Sequence, residues 1–237
     1  MVELNDYDKL VVERSLAETL WRLEEVRMGF SRADRDKVSR ALDWIQKRQG
    51  LEGAYSVDEH RFFAPAEKDK DKVKLITGEK YDRTGGTDHI LGQEALRTLI
   101  LWGRGEEIET KKALTTLHVL LDQKEDGVTP TETGFFCCAK CSVSMLKTVS
   151  VVKTESWEKT LKEGILKISK NRDGEGRWKR YPFYYTLLTL SEIQSPEAID
   201  ELRYVSKKAR SLLKRYKEPK DRESLFRRIG LETAARS

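Results

Sequence analysis

The ending of the segment ALDWIQKRQGLEGAY, residues 41–55, returns twice further along the chain. Gln49-x3-Gly53-x-Tyr55 is followed by Gln123-x3-Gly127-x-Thr129 and by Arg172-x3-Gly176-x-Trp178, each at the end of a helix-like apolar run. Such self-similarity means that one supersecondary unit is stacked several times, which constrains the fold far more than the chemistry. A glycine-containing turn and a second apolar run follow each copy. The pattern therefore predicts helix pairs at 31–49 with 89–102, 110–124 with 137–149, and 156–171 with 182–193. These runs are long and lack sustained alternation, which argues against strands.

The interval from position 49 to 123 is longer by half than the interval from 123 to 172. The excess falls in residues 56–88, read as a loop insertion with a charge run at 67–74, a hairpin around Lys74–Tyr81 and the pair Gly85-Gly86. A loop of this length within a compact domain is usually functional or mobile. Asp69 and Asp71, set among lysines, read as solvated charges. A first helix capped by Asn5 or Asp6 and ending near Met28 precedes the repeats, and Ser31-x-x-Asp34 reads as the capping box of the next helix. Ser195-Pro196-Glu197 opens a last long helix to about Lys217. His118, inside the apolar run 114–121, reads as a core histidine.

With 237 residues and 38% hydrophobic content, the chain can bury a sizeable core without staples. A single all-α domain, 1–237, is expected, with repeats over 31–193 and basic C-terminal helices over 195–237. No apolar run of about 18 residues exists, so no membrane span is expected. The stretch MVELNDYDKL does not read as a signal peptide, and a cytoplasmic location follows as an expectation. Abundant Lys and Glu, with Asn only at positions 5 and 171, hint at a thermophilic source. The net charge of +5 is uneven: residues 201–237 carry 12 Lys/Arg against 5 Asp/Glu. A nucleic-acid or acidic-partner role is thereby confined to the C-terminal segment, whose basic run reads first as the solvated side of a docked helix.

Trp44-Ile-Gln-Lys-Arg-Gln49-x3-Gly53-x-Tyr55 and Asp173-Gly-Glu-Gly-Arg-Trp178 resemble the repeat of the squalene-cyclase and prenyltransferase superfamily, whose units end in Gln-x3-Gly-x-Trp. The resemblance covers roughly residues 31–193. It implies an α/α-toroid-like array around an apolar cavity, here with about three helix pairs plus flanking helices, and it implies an apolar, isoprenoid-like ligand.

Equivalent turns of stacked units lie on one rim, so the residues that start each second helix are expected to converge. These are Asp88 and His89; Cys137, Cys138 and Cys141; and Arg180, Tyr181 and Tyr184, with Trp178 beside them. The aromatics, with Arg180, are candidate ligand-binding groups, and interhelical packing is their simpler reading. Cys138 and Cys141 are three apart at a helix start, so both sulfurs can face one point, and Cys137 with Cys141 is the alternative pair. With His89 and Asp88 they form a mixed S/N/O set that suits zinc. Clustered thiols also suit a reactive thiolate, or plain packing beside Phe135 and Phe136, since unpaired Cys is among the most buried residue types. Prenyltransferases of the superfamily use Asp, Cys and His around a zinc, and residues 134–145 resemble the region that supplies the Asp and Cys, although no Asp-x-Cys occurs.

Neither Asp-x-Asp-Asp nor Asp-Asp-x-x-Asp is present, which disfavours cyclase and diphosphate chemistry, and the P-loop, G-x-S-x-G and H-E-x-x-H motifs are absent too. The function expected first is a non-cyclising relative that binds an apolar ligand and zinc. The competing expectation is an interaction module whose basic C-terminal helix docks a partner protein or nucleic acid.

Overall fold

The computed structural model describes residues 5–70, 73–80, 85–124, 127–152 and 155–237. The described residues are mostly helical: α1 Leu16–Arg27, α2 Arg35–Gln46, α3 Gly85–Leu101, α4 Ile108–Asp122, α5 Pro130–Thr133, α6 Ala139–Val152, α7 Glu155–Ser169, α8 Phe183–Glu192, α9 Pro196–Leu213 and α10 Arg222–Arg236. The helical segments expected from the sequence coincide with α2, α3, α4, α6, α7 and α8. Among the described residues, strand is confined to two-residue pieces: β1 Asn5–Asp6 runs parallel to β2 Ser31–Arg32, and β3 Ser56–Val57 is antiparallel to β4 His60–Arg61. No described helix is long and apolar enough to cross a membrane. The chain divides into two compact units, Met1–Val73 with Tyr81–Leu121, and Lys74–Lys80 with Asp122–Ser237.

In the first unit, α1 packs on α2 and α3 over a core that includes Leu16, Leu20, Leu23, Ile45, Phe62, Phe63, Leu91 and Leu96. The start of α1 departs from the sequence expectation. Asn5 and Asp6 belong to β1, and the cap is Ser15, whose hydroxyl oxygen accepts from the Glu18 amide at 3.0 Å. A second acceptor comes from far along the chain. The Asp69 carboxylate accepts from the Leu16 amide (2.6 Å), the Ser15 hydroxyl (2.7 Å) and the Ala66 amide (2.8 Å). Asp69 is thus a fully buried cap rather than a solvated charge, because the orphan amides of a helix start compensate its burial. Asp71 lies outside the described residues.

The cap of α2 is Asp34, accepting from the Lys37 amide at 2.7 Å, while Ser31 is taken up by β2. Residues 56–70 are not a loose loop. Phe62 and Phe63 are fully buried, Gly50 donates to the Phe62 carbonyl at 2.9 Å, and Gln49 pairs with Phe63 in an antiparallel bridge. His118 faces solvent from α4 rather than the core. Arg97, 2% exposed, is held at 3.4 Å from Glu24 and 3.8 Å from Glu94, so its buried charge is matched by carboxylates.

In the second unit, α6 packs on α7 and α8, α9 packs on α7 and α8, and α10 packs on α8 and α9. The C-terminal segment is docked by its apolar side: Leu202, Val205, Ala209 and Leu212 of α9 and Leu225, Phe226, Leu231 and Ala234 of α10 are buried. Its basic side chains are therefore the remaining, outward positions of amphipathic helices. Residues 74–80 contribute a hairpin, with Lys74 bridged to Lys80. The Glu79 carboxylate accepts from the Tyr184 and Tyr185 amides at 3.0 and 2.8 Å. It does so because α8 starts at Pro182, which has no side-chain acceptor for those amides.

Candidate thiol site

The second repeat copy ends at Thr129, and that residue caps the short helix α5. Its hydroxyl accepts from the Glu132 amide at 3.2 Å while Glu132 accepts from the Thr129 amide at 2.9 Å. Gly134 then ends α5 in the left-handed conformation, at φ 60°. A Cβ built on Gly134 would lie 1.9 Å from the backbone nitrogen of Gly164 on α7, so only glycine permits this approach of two main chains. The chain leaves that contact as Phe135-Phe136-Cys137-Cys138 and enters α6.

Ser142 holds this turn. Its hydroxyl accepts from the Phe136 amide at 2.8 Å and lies 3.0 and 2.8 Å from the Phe136 and Cys138 carbonyls, to either of which it can donate. Cys137 has φ 56°, and among the described residues the only other non-glycines at positive φ are Asp58 and Arg180. A side chain in that region carries strain of order 1 kcal/mol, a feature concentrated at functional turns.

The sulfurs of Cys138 and Cys141 are 3.4 Å apart, and the Cys141 amide donates to the Cys138 sulfur at 3.5 Å. Cys137 and Cys141 sulfurs are within 4.8 Å of each other. Cys137 and Cys138 are exposed, and Cys141 is fully buried. The Cys141 thiol, and then the amides of Cys141 and Lys140, hold the Cys138 thiol well below its ordinary range, to about 5. The same contact, with burial, pushes Cys141 up. The sulfur contact, aided by the amide donors of the helix start, thus favours ionisation at Cys138 and retention of the proton at Cys141.

The opening of α8 carries the other group of candidates. Trp178 is buried, and its Nε1 donates to Glu201 at 2.6 Å; Arg172 approaches the same carboxylate at 2.6 Å. Arg172 and Trp178 also pair in an antiparallel bridge, so the third repeat copy is closed on itself and tied to α9. Tyr184 shares a hydrogen bond of 3.1 Å with Tyr216 and lies under the Arg227 guanidinium at 4.9 Å. Tyr181 is buried, which raises its phenol to about 12, and Arg180 is exposed at φ 67°. Glu201 had no local signal. It is one of three acids, with Glu197 and Asp200, near the start of α9.

Asp88 and His89 stand on α3, in the first unit. His89 packs against Tyr55 at 4.0 Å between ring centroids, and burial lowers its pKa to about 4, so its imidazole is neutral at pH 7. Asp88, raised by burial, lines a cleft of about 540 Å³ with Arg48, Glu52, Pro65 and Lys70.

The donor set of α6 fits a soft or borderline metal: three sulfurs at one helix start, one of them held as a thiolate. The group of His and Cys residues on this chain can hold a metal ion. No protein-family model, curated protein or solved structure matches the chain.

Proposed function

We propose that the opening of α6 is a thiolate site for zinc in a helical repeat protein related to the squalene-cyclase and prenyltransferase superfamily, with a toroid-like α/α arrangement. The observation that carries the metal reading is the convergence of Cys137, Cys138 and Cys141, with a 3.4 Å sulfur separation between the last two. Bound zinc would keep these thiols ionised at neutral pH and supply a Lewis acid there. His89 and Asp88 are further donors proposed from the repeat register.

Cobalt(II) titration of the metal-free full chain tests the site, because thiolate ligation gives charge-transfer absorption whose intensity reports the number of sulfurs. Saturation at one cobalt with two or three thiolates is expected, and Cys138→Ser lowers that intensity. Saturation without thiolate charge transfer removes the reading. His89→Ala with unchanged affinity removes His89 as a ligand.

An apolar, isoprenoid-like ligand near Trp178, Arg180, Tyr181 and Tyr184 is supported by the resemblance. A short polyprenyl alcohol that quenches tryptophan fluorescence in the wild type, and does so less in Trp178→Phe, is the expected result. No saturable quenching in either chain sinks it.

A further inference from the structure

We propose that Cys138 and Cys141 are also a dithiol–disulfide pair, in which Cys138 attacks a disulfide substrate and Cys141 resolves the mixed disulfide. This inference needs only the two sulfurs and does not rest on the zinc reading. Metal and disulfide exclude one another, because they use the same atoms.

Four observations support it. The sulfurs are 3.4 Å apart, so closing a bond of about 2.05 Å needs a side-chain rotation and no movement of an element. Positions three apart at a helix start bring the two Cα atoms into the usual disulfide range. Access is one-sided: Cys138 is exposed and Cys141 is fully buried, so an incoming disulfide meets Cys138 and leaves Cys141 for the second step. Finally, Ser142 ties both the Phe136 amide and the preceding turn, and Cys138 donates its own amide to the Phe136 carbonyl at 2.6 Å. The backbone that carries Cys138 is therefore held by bonds independent of either sulfur.

The chemistry balances without a further reagent. The Cys138 thiolate attacks one sulfur of R–S–S–R, forming a Cys138–S–S–R bond and releasing RS⁻. The Cys141 sulfur then attacks Cys138, its proton passes to the departing sulfur, and RSH leaves. The protein dithiol loses two electrons, and the substrate disulfide gains them as two thiols. A small or protein disulfide is the substrate class.

The test uses the chelator-treated full chain, with oxidised glutathione as probe and peptide mass mapping as readout. In the wild type, two of the three thiols disappear and the bond maps to Cys138 and Cys141. Cys141→Ser stops after the first step, with one glutathione on Cys138 and no internal bond. Cys138→Ser retains its Cys141 thiol and reacts at least about tenfold more slowly at that position, as burial dictates. Three surviving thiols in the wild type, a bond mapping to Cys137, or wild-type rates at Cys141 in Cys138→Ser each overturn the proposal. A chain that binds no cobalt yet forms the mapped disulfide separates the failure of the zinc reading from the failure of this one.

Discussion

The openings of α6 and α8 follow the second and third occurrences of the x3-Gly-x pattern, and each has a non-glycine residue, Cys137 or Arg180, in the left-handed region just before the helix. What surrounds them differs. At α8, the side chains close on protein partners: Trp178 and Arg172 on Glu201, Tyr184 on Tyr216, and the first amides on Glu79. At α6, the backbone is held by Ser142 and by the Gly134–Gly164 approach, and the three sulfurs face one another. Side chains at the α8 opening are thus engaged by protein partners, whereas the α6 opening brings sulfurs together. Stability and thiol chemistry are predicted to separate under mutation.

The largest effect is expected at Gly134→Ala. Its Cβ meets the Gly164 backbone at 1.9 Å from a left-handed residue, and relief requires α5 and α7 to part. Urea denaturation should show a loss of roughly 3 kcal/mol or more, with reduced metal affinity because the turn carrying the thiols moves. A neutral result would break the claim that main-chain packing positions α6.

Glu201→Ala comes next, at about 2 kcal/mol, since it strands the buried Trp178 N–H and the Arg172 guanidinium. Cobalt charge transfer should be unchanged, and a loss there would join the two turns that the comparison separates. Cys138→Ser is the converse case. It should shift stability by less than ~0.5 kcal/mol in the metal-free chain, the range for exposed positions, while thiolate ligation falls.

The smallest effect is a pH slope. Burial raises the Glu79 carboxyl above its ordinary value in the folded chain. The folded state therefore holds this proton more tightly than the unfolded state does, a contribution present below the unfolded value of 4.5 and lost as pH rises through the folded one. Wild-type stability relative to Glu79→Gln should fall over that window, by under ~1 kcal/mol, and a rising difference would contradict the assignment.

The helices were legible because apolar residues recur at helical spacing, and the turns because Gly53, Gly127 and Gly176 sit where a left-handed residue is needed. The closeness of Cys138 and Cys141 was legible for a similar reason, as two positions three apart share a helix side. The caps were not. Asp69 sits in a lysine-rich run that looks solvated, yet it reaches back to the start of α1, and Glu79 reaches forward to α8. Neither partner lies within the reach of a local pattern. The aromatics of the third copy also have a partner, Glu201, that only the packing of α9 brings to them. Local periodicity thus encodes the elements, whereas the long-range polar contacts that fix their ends depend on tertiary structure.

Zinc content after loading and removal of excess by gel filtration tests most directly whether the α6 opening binds metal through its thiols. One zinc per chain is expected in the wild type and none in the Cys138→Ser/Cys141→Ser double variant, with both proteins folded by circular dichroism. A wild-type chain without stoichiometric zinc, or a double variant that retains it, would contradict metal binding by these thiols.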